Sequence, residues 1–144
     1  MFSKSCEYGI RATIFVAGES SKGRKPGIRE IASEIDSPEA FTGKILQKLV
    51  KHQIITSSKG PSGGFFIPEE SLSHIKLMEI VMAMDGDAVF KNCALGLGGC
   101  SCDSPCPLHQ EIKRICNELE AMLRSVSIED LSLRFQSKQT FLKR

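Results

Sequence analysis

No stretch of the sequence reaches the eighteen or so apolar residues of a membrane span, and the N-terminus, MFSKSCEYGIRA, lacks the apolar segment of a secretory signal. Together these absences make the cytosol the expected compartment. Internal repeats and low-complexity tracts are also missing. That leaves one compact domain with an appended helix, for which 144 residues at 41% hydrophobic content can supply a modest core. Close CxxC pairs, the usual signature of structural zinc, are missing too. Strong net charge is lacking, yet the total of +2 hides an asymmetry. Residues 1–68 carry ten Lys and Arg against six Asp and Glu, whereas residues 69–144 carry nine against eleven. The basic excess lies in the N-terminal half, where an anionic partner such as DNA would bind.

What the sequence has in concentration is cysteine. Four of its six cysteines, with a histidine, fall in the seventeen residues CALGLGGCSCDSPCPLH, from Cys93 to His109. The stretch has no apolar periodicity and cannot belong to a packed core. Gly96, Gly98 and Gly99 permit the positive φ angles with which a loop wraps several thiolates around one centre. In a reducing cytosol clustered thiols point to metal binding or redox chemistry rather than a disulfide framework. Soft sulfur donors select an iron-sulfur cluster, zinc or copper(I). Cys116 falls in an apolar helical stripe and reads as a small hydrophobe; Cys6 reads as a thiol on a helix flank. His52 and His74 carry no assigned role.

Periodicity places a first helix at residues 4–19, with Ile10, Ile14 and Ala17 on one face. A second runs from Ile28 to Ile35. Ser37 is placed to cap a third, with Pro38 at its first position and Glu39 against its dipole. This third helix reaches Lys51, burying Phe41, Ile45 and Leu49 and presenting Thr42, Gly43, Lys44, Gln47, Lys48 and Lys51 on its other face. Two short helices joined by a tight turn are the pattern of a helix-turn-helix. Strands at Ile54–Ser58 and Gly64–Ile67 then bracket the glycine-rich Lys59–Gly64 hairpin, a wing that can press on a phosphate chain. Leu77, Ile80, Val81 and Met84 mark another helix, ended by Asp85-Gly86. From Pro107 a long helix carries Ile112, Ile115, Cys116, Leu119, Met122, Leu123 and Val126, a stripe too wide for one small domain to cover. A second copy of the chain is the economical cover. Ser127 and Asp130 form a capping box for a last short helix, and the tail QSKQTFLKR is expected to fray.

The fold class is therefore mainly α with a small β-hairpin wing. The expected organisation is a winged helix-turn-helix domain at 1–86, a cysteine-rich loop at 87–106, a dimerisation helix at 107–126, and a short helix and tail at 127–144. This order of parts resembles the bacterial winged-helix regulators that include IscR, NsrR and CymR. The resemblance is carried by Glu7 to Ala12, Ile28 to Ile35, Leu46 to Lys51, the wing Lys59 to Phe65, and the loop closing on Cys106-Pro107-Leu108-His109. It implies a cytoplasmic, homodimeric transcription factor, not an enzyme, that binds a pseudo-palindromic DNA operator under control of an iron-sulfur cluster of two or four irons.

By position, the resemblance makes Cys93, Cys100 and Cys106 ligands with His109 favoured as the fourth; the alternates are Cys102 and, reaching across from the other subunit, Glu7. Zinc is the runner-up for the metal, and a bare thiol switch or a partner-controlled repressor without a cluster remains open. For DNA, Thr42 to Lys44 should face base edges, Lys48 and Lys51 phosphates, and Lys59 and Ser62 the backbone or minor groove, with Arg11 and Ser37 adding phosphate contacts. A small iron-sulfur electron carrier is the competing class, but it would have no use for the basic helix pair and the glycine hairpin.

Overall fold

A serine opens the first helix. In the computed structural model, which describes residues 1–143, the Ser3 hydroxyl accepts from the Cys6 N–H at 3.1 Å, satisfying one of the donors that a helix N-terminus leaves unpaired. Helix α1 spans Lys4–Ser21 and is buried without interruption from Ala12 to Glu19. Its burial is wider than one amphipathic stripe because elements pack on it from several sides. These are α2 (Ile28–Glu34), α3 (Glu39–Lys51), α5 (Leu77–Met84) and α8 (Ile128–Gln136).

The chain leaves α2 through Asp36, whose φ of 53° turns it toward α3, while the Ser37 N–H donates back to Ala32 O at 3.0 Å. Two expectations at the start of α3 are corrected. Pro38 takes ψ 139° and so stands at the N-cap rather than inside the helix, and no side chain caps α3. The Ser37 hydroxyl instead lies 3.5 Å from Pro38 O. Glu39 does occupy the first turn, where a carboxylate complements the helix dipole.

The wing is shorter than its apolar run. Strands β1 (Thr56–Ser58) and β2 (Gly64–Phe66) pair antiparallel, Thr56 opposite Phe66 and Ser58 opposite Gly64. Ile54 and Ile55 are buried, but both their N–H groups are aimed at Leu49 O, closing the end of α3 instead of joining the ladder. The wing is anchored where Phe65 N–H donates to Pro26 O at 2.9 Å. A Cβ at Gly64 would stand 2.2 Å from Lys25 O, so only glycine fits this close backbone approach.

Two four-residue helices, α4 (Glu69–Leu72) and α6 (Ala88–Lys91), lie outside the expected pattern. Helix α5 ends as expected, with Gly86 at φ 68° and its N–H on Met82 O. The long helix α7 spans His109–Ser125. Backbone bonds Leu77 N–H to Val126 O and Ile128 N–H to Ile75 O, each 2.9 Å, tie the α7–α8 junction to the start of α5. The capping box of α8 forms, Ser127 Oγ accepting from Asp130 N–H at 3.1 Å and Asp130 Oδ2 from Ser127 N–H at 3.3 Å. The expected fraying is corrected as far as Lys143, and Arg144 lies outside the described residues. Thr140 Oγ1 donates to Arg134 O, Lys143 Nζ to Ser33 O, and Leu142 packs against the core. No helix among the described residues is long and apolar enough to cross a membrane.

Candidate metal centre

The cysteine loop leaves α6 at Asn92 and ends in the first turn of α7. Gly96 and Gly99 take φ of 68° and 77°, and Gly96 N–H donates to Cys93 O at 2.9 Å, so the chain reverses within four residues of the first cysteine. At the other end His109 N–H donates to Cys106 O at 3.0 Å, setting Cys106 just before the helix.

These turns bring the Sγ atoms of Cys93, Cys100 and Cys106 within 4.8 Å of one another. Cys93 and Cys106 are separated by 3.7 Å, and His109 Nδ1 lies 3.4 Å from Cys100 Sγ. The His109 Nε2 atom is buried and has no hydrogen-bond partner, a state that burial normally penalises. Three converging soft thiols and an imidazole fit iron or zinc.

The thiols are not equivalent. The N–H groups of Leu97 and Leu95 point at Cys93 and, with smaller help from Cys106 and Cys100, lower its thiol to about 7. At Cys100 the Cys106 N–H pulls downward, but desolvation and the neighbouring Cys106 and Cys93 thiols outweigh it, and the thiol lies above its ordinary range. Thiolates are the form that ligates metal, and the loop's amides stabilise one at Cys93.

The alternates fall elsewhere. Ser101 and Ser104 bond reciprocally, Ser101 N–H to Ser104 O and Ser104 N–H to Ser101 Oγ, each at 3.1 Å. Cys102, inside that turn, is exposed and outside the triad, its Sγ 2.9 Å from Lys113 Nζ. Glu7 pairs with Lys4 at 3.0 Å, and that hydrogen bond holds its carboxyl below the usual range. Cys6 is 0% exposed, and burial, then the Asp85 charge, pushes its thiol to about 12; it is an inert core residue. Cys116 is half-buried, with Sγ 3.7 Å from Val89 O. With Phe90 and Ile112 it lines a cavity of about 370 Å³ whose wall also includes the triad, His109 and Cys102. Phe90 was not legible as a neighbour of the site, because α6 is too short to show a period, and Lys113, on the polar side of α7, carries no sequence signal tying it to Cys102.

Of the residues expected at DNA, Lys44, Lys51, Lys59 and Ser62 are exposed, while Gly43, Arg11 and Ser37 are half-buried. Gly43 has open space where a Cβ would project. Thr42 is corrected: it is 0% exposed and its hydroxyl donates to Pro38 O at 2.9 Å, so it supports α3 and cannot reach a base. Lys48 is exposed, but its Nζ donates to Met84 O at 3.1 Å, holding α3 to the end of α5. Arg11 lies over the Tyr8 ring at 4.9 Å, and Tyr8 meets Phe41 edge-on at 5.7 Å.

A helix-turn-helix with a wing, followed by a loop that gathers three thiols, defines a class of regulator rather than an enzyme. The chain belongs to the Rrf2 family: residues 2–133 match its model, described as an iron-dependent transcriptional regulator. A protein of Aquifex aeolicus (strain VF5) named as an HTH-type transcriptional regulator is 28% identical over 144 residues, spanning 98% of this chain and 96% of its own. The transcriptional regulator IscR of Photorhabdus laumondii is 25% identical over 124 residues, 86% of this chain and 74% of its own. Among solved structures, CymR, the global cysteine regulator of B. subtilis, superposes with a TM-score of 0.74 at 19% identity, covering 92% of this chain and 96% of its own. That likeness establishes the winged-helix fold.

Proposed function

We propose that the protein is a cytoplasmic, homodimeric repressor or activator that binds a pseudo-palindromic DNA operator and senses redox, nitric oxide or iron-sulfur status through a cluster held by Cys93, Cys100, Cys106 and His109. The observation that carries this reading is the convergence of three Sγ atoms within 4.8 Å, with the His109 ring beside them. Cys93, Cys100, Cys106 and His109 would hold the cluster, which would supply redox chemistry and reactivity toward oxygen or nitric oxide. Cys93 contributes a thiolate pre-stabilised by two amides, and His109 is positioned by the first turn of α7. Cys102 and Glu7 fall outside the set in one chain, leaving Glu7 as a ligand only if a partner subunit brings it in.

The same chain supports a route to DNA. The short helix α6 joins α5 to the cysteine loop, and the Lys48 bond to Met84 O links the end of α5 to α3. Ordering the loop changes the footing of α3. Dimerisation rests on α7, whose Ile115 and Met122 are 52% and 42% exposed and whose single fully buried side chain is Leu123. Pairing two such faces would cover an apolar stripe and set the spacing of two reading heads. A coupling of about 1–3 kcal/mol corresponds to about a 5- to 150-fold change in DNA affinity.

Zinc is the second reading, because three thiolates and an imidazole also complete a tetrahedral structural site. Fluorescence anisotropy on an operator duplex, with anaerobically reconstituted and metal-free protein, separates the two readings. A difference in affinity between the forms, with iron and sulfide bound, supports the sensor. Equal affinity, or stoichiometric zinc without sulfide, contradicts it.

A further inference from the structure

We propose that the C-terminal tail, residues 138–143, is a third DNA-contacting element that holds a backbone phosphate between Arg11 and Lys143 beside the helix-turn-helix. The inference rests on the DNA-binding reading above and extends it to a segment outside the recognition helix and the wing. The chain from Ser137 to Arg144 contains Lys138, Lys143 and Arg144 and no acidic residue. A tail of that charge usually hangs free in solvent, but this one is folded back. Lys138 takes φ 59° and its N–H donates to Phe135 O at 3.1 Å. Thr140 Oγ1 donates to Arg134 O at 3.1 Å, and Leu142 packs against the core.

This path ends at the reading head. Lys143 Nζ donates to Ser33 O at 2.9 Å, in the last turn of α2 and three residues before Asp36, where the chain turns into α3. In helix-turn-helix proteins the helix before the recognition helix crosses the phosphate backbone. The bond to Ser33 O uses one of the three donors of the Lys143 ammonium, and the others remain for an anion.

Arg11 faces the same place. Arg11, Asp36, Phe141, Leu142 and Lys143 line one hollow of about 300 Å³, large enough for a phosphate group. The Arg11 guanidinium lies over the Tyr8 ring with Cζ 4.9 Å from its centroid, and a guanidinium carries five N–H donors, enough to serve a phosphate as well. Tyr8 in turn packs edge-on against Phe41 of α3, so the guanidinium is positioned by the recognition helix. Asp36 opposes an anion, but two cations against one carboxylate leave the hollow positive.

The test uses the full-length chain and a mixed-sequence DNA duplex, with affinity measured by anisotropy across a salt series. Lys143→Gln should weaken binding and flatten the dependence of log K on log salt by about one unit per protomer. Lys143→Arg should restore the slope, because it restores the cation, and Arg11→Gln should match Lys143→Gln. An unchanged slope for Lys143→Gln, while Lys59→Ala flattens it, overturns the tail contact and leaves the DNA-binding reading intact. Tighter binding by Lys143→Gln also overturns it, since the tail would then be obstructing DNA. Failure of the unsubstituted protein to bind any duplex overturns both readings.

Discussion

Cys6 and Cys93 are the same residue type in opposite surroundings. Cys6 sits at 0% exposure among the side chains of the winged head, with its thiol pushed to about 12. Cys93 sits on a glycine-rich loop with two amides turned toward it and a thiol lowered to about 7. The difference extends to the regions that hold them. In the head, backbone approaches backbone so closely that a Cβ at Gly64 would overlap Lys25 O, whereas Gly96, Gly98 and Gly99 of the loop face open space. Helix α5 buries most of its residues; α7, twice as long, fully buries one. The head completes itself from its own sequence. The cysteine arm leaves thiols and the apolar side chains of α7 partly open.

The sharpest break of that contrast is chemical. In metal-free protein at neutral pH, iodoacetamide should modify Cys93 at least about a thousandfold faster than Cys6, since the thiolate is the nucleophile and the Cys6 thiol is both protonated and buried. The Cys93 rate should rise as pH passes through about 7, where its thiol ionises, and level off above it. Peptide mass spectrometry reads both rates, and equal labelling would erase the distinction. Next in size, Leu123→Ala should cost about 2–5 kcal/mol by removing a fully buried side chain, against less than about 1 kcal/mol for Ile115→Ala. Sedimentation should show that Ile115→Glu releases monomers whose heads melt normally.

Gly64→Ala should destabilise the head by about 1–3 kcal/mol, because Lys25 O cannot withdraw without unseating the wing. Gly98→Ala should stay within about 0.5 kcal/mol, having neither a left-handed φ nor a neighbour to strike. Thermal melting of the two variants side by side measures the contrast directly. The smallest effect is on the wing itself, where Lys59→Ala should flatten the salt dependence of DNA binding by about one unit per protomer. An unchanged slope removes Lys59 from the interface.

What was legible in the sequence was local. The stripes of α2, α3 and α5, the capping box at Ser127 and Asp130, the glycines of the wing and the grouping of cysteines each follow from residues a few positions apart. What was not legible depended on distant partners or on backbone details. Thr42 looks like an exposed polar residue, but its hydroxyl is satisfied by the carbonyl four residues earlier, which lets it be buried at little cost. Lys48 reads as a phosphate contact alone, but its ammonium also donates to Met84 O, 36 residues away, and so ties α3 to α5. The tail reads as frayed because nothing near it in sequence reveals Ser33. Cys102 is equal to its neighbours in spacing alone, and only the Ser101–Ser104 turn carries it out of the triad.

Iron and acid-labile sulfide, counted per protomer in protein purified without air and read beside the visible spectrum, test the metal centre most directly. The unsubstituted chain and Cys102→Ser should carry both elements with thiolate-to-iron absorption, and Cys106→Ser should lose them. A colourless protein that takes up neither on reconstitution, or one that binds stoichiometric zinc alone, would contradict the assignment.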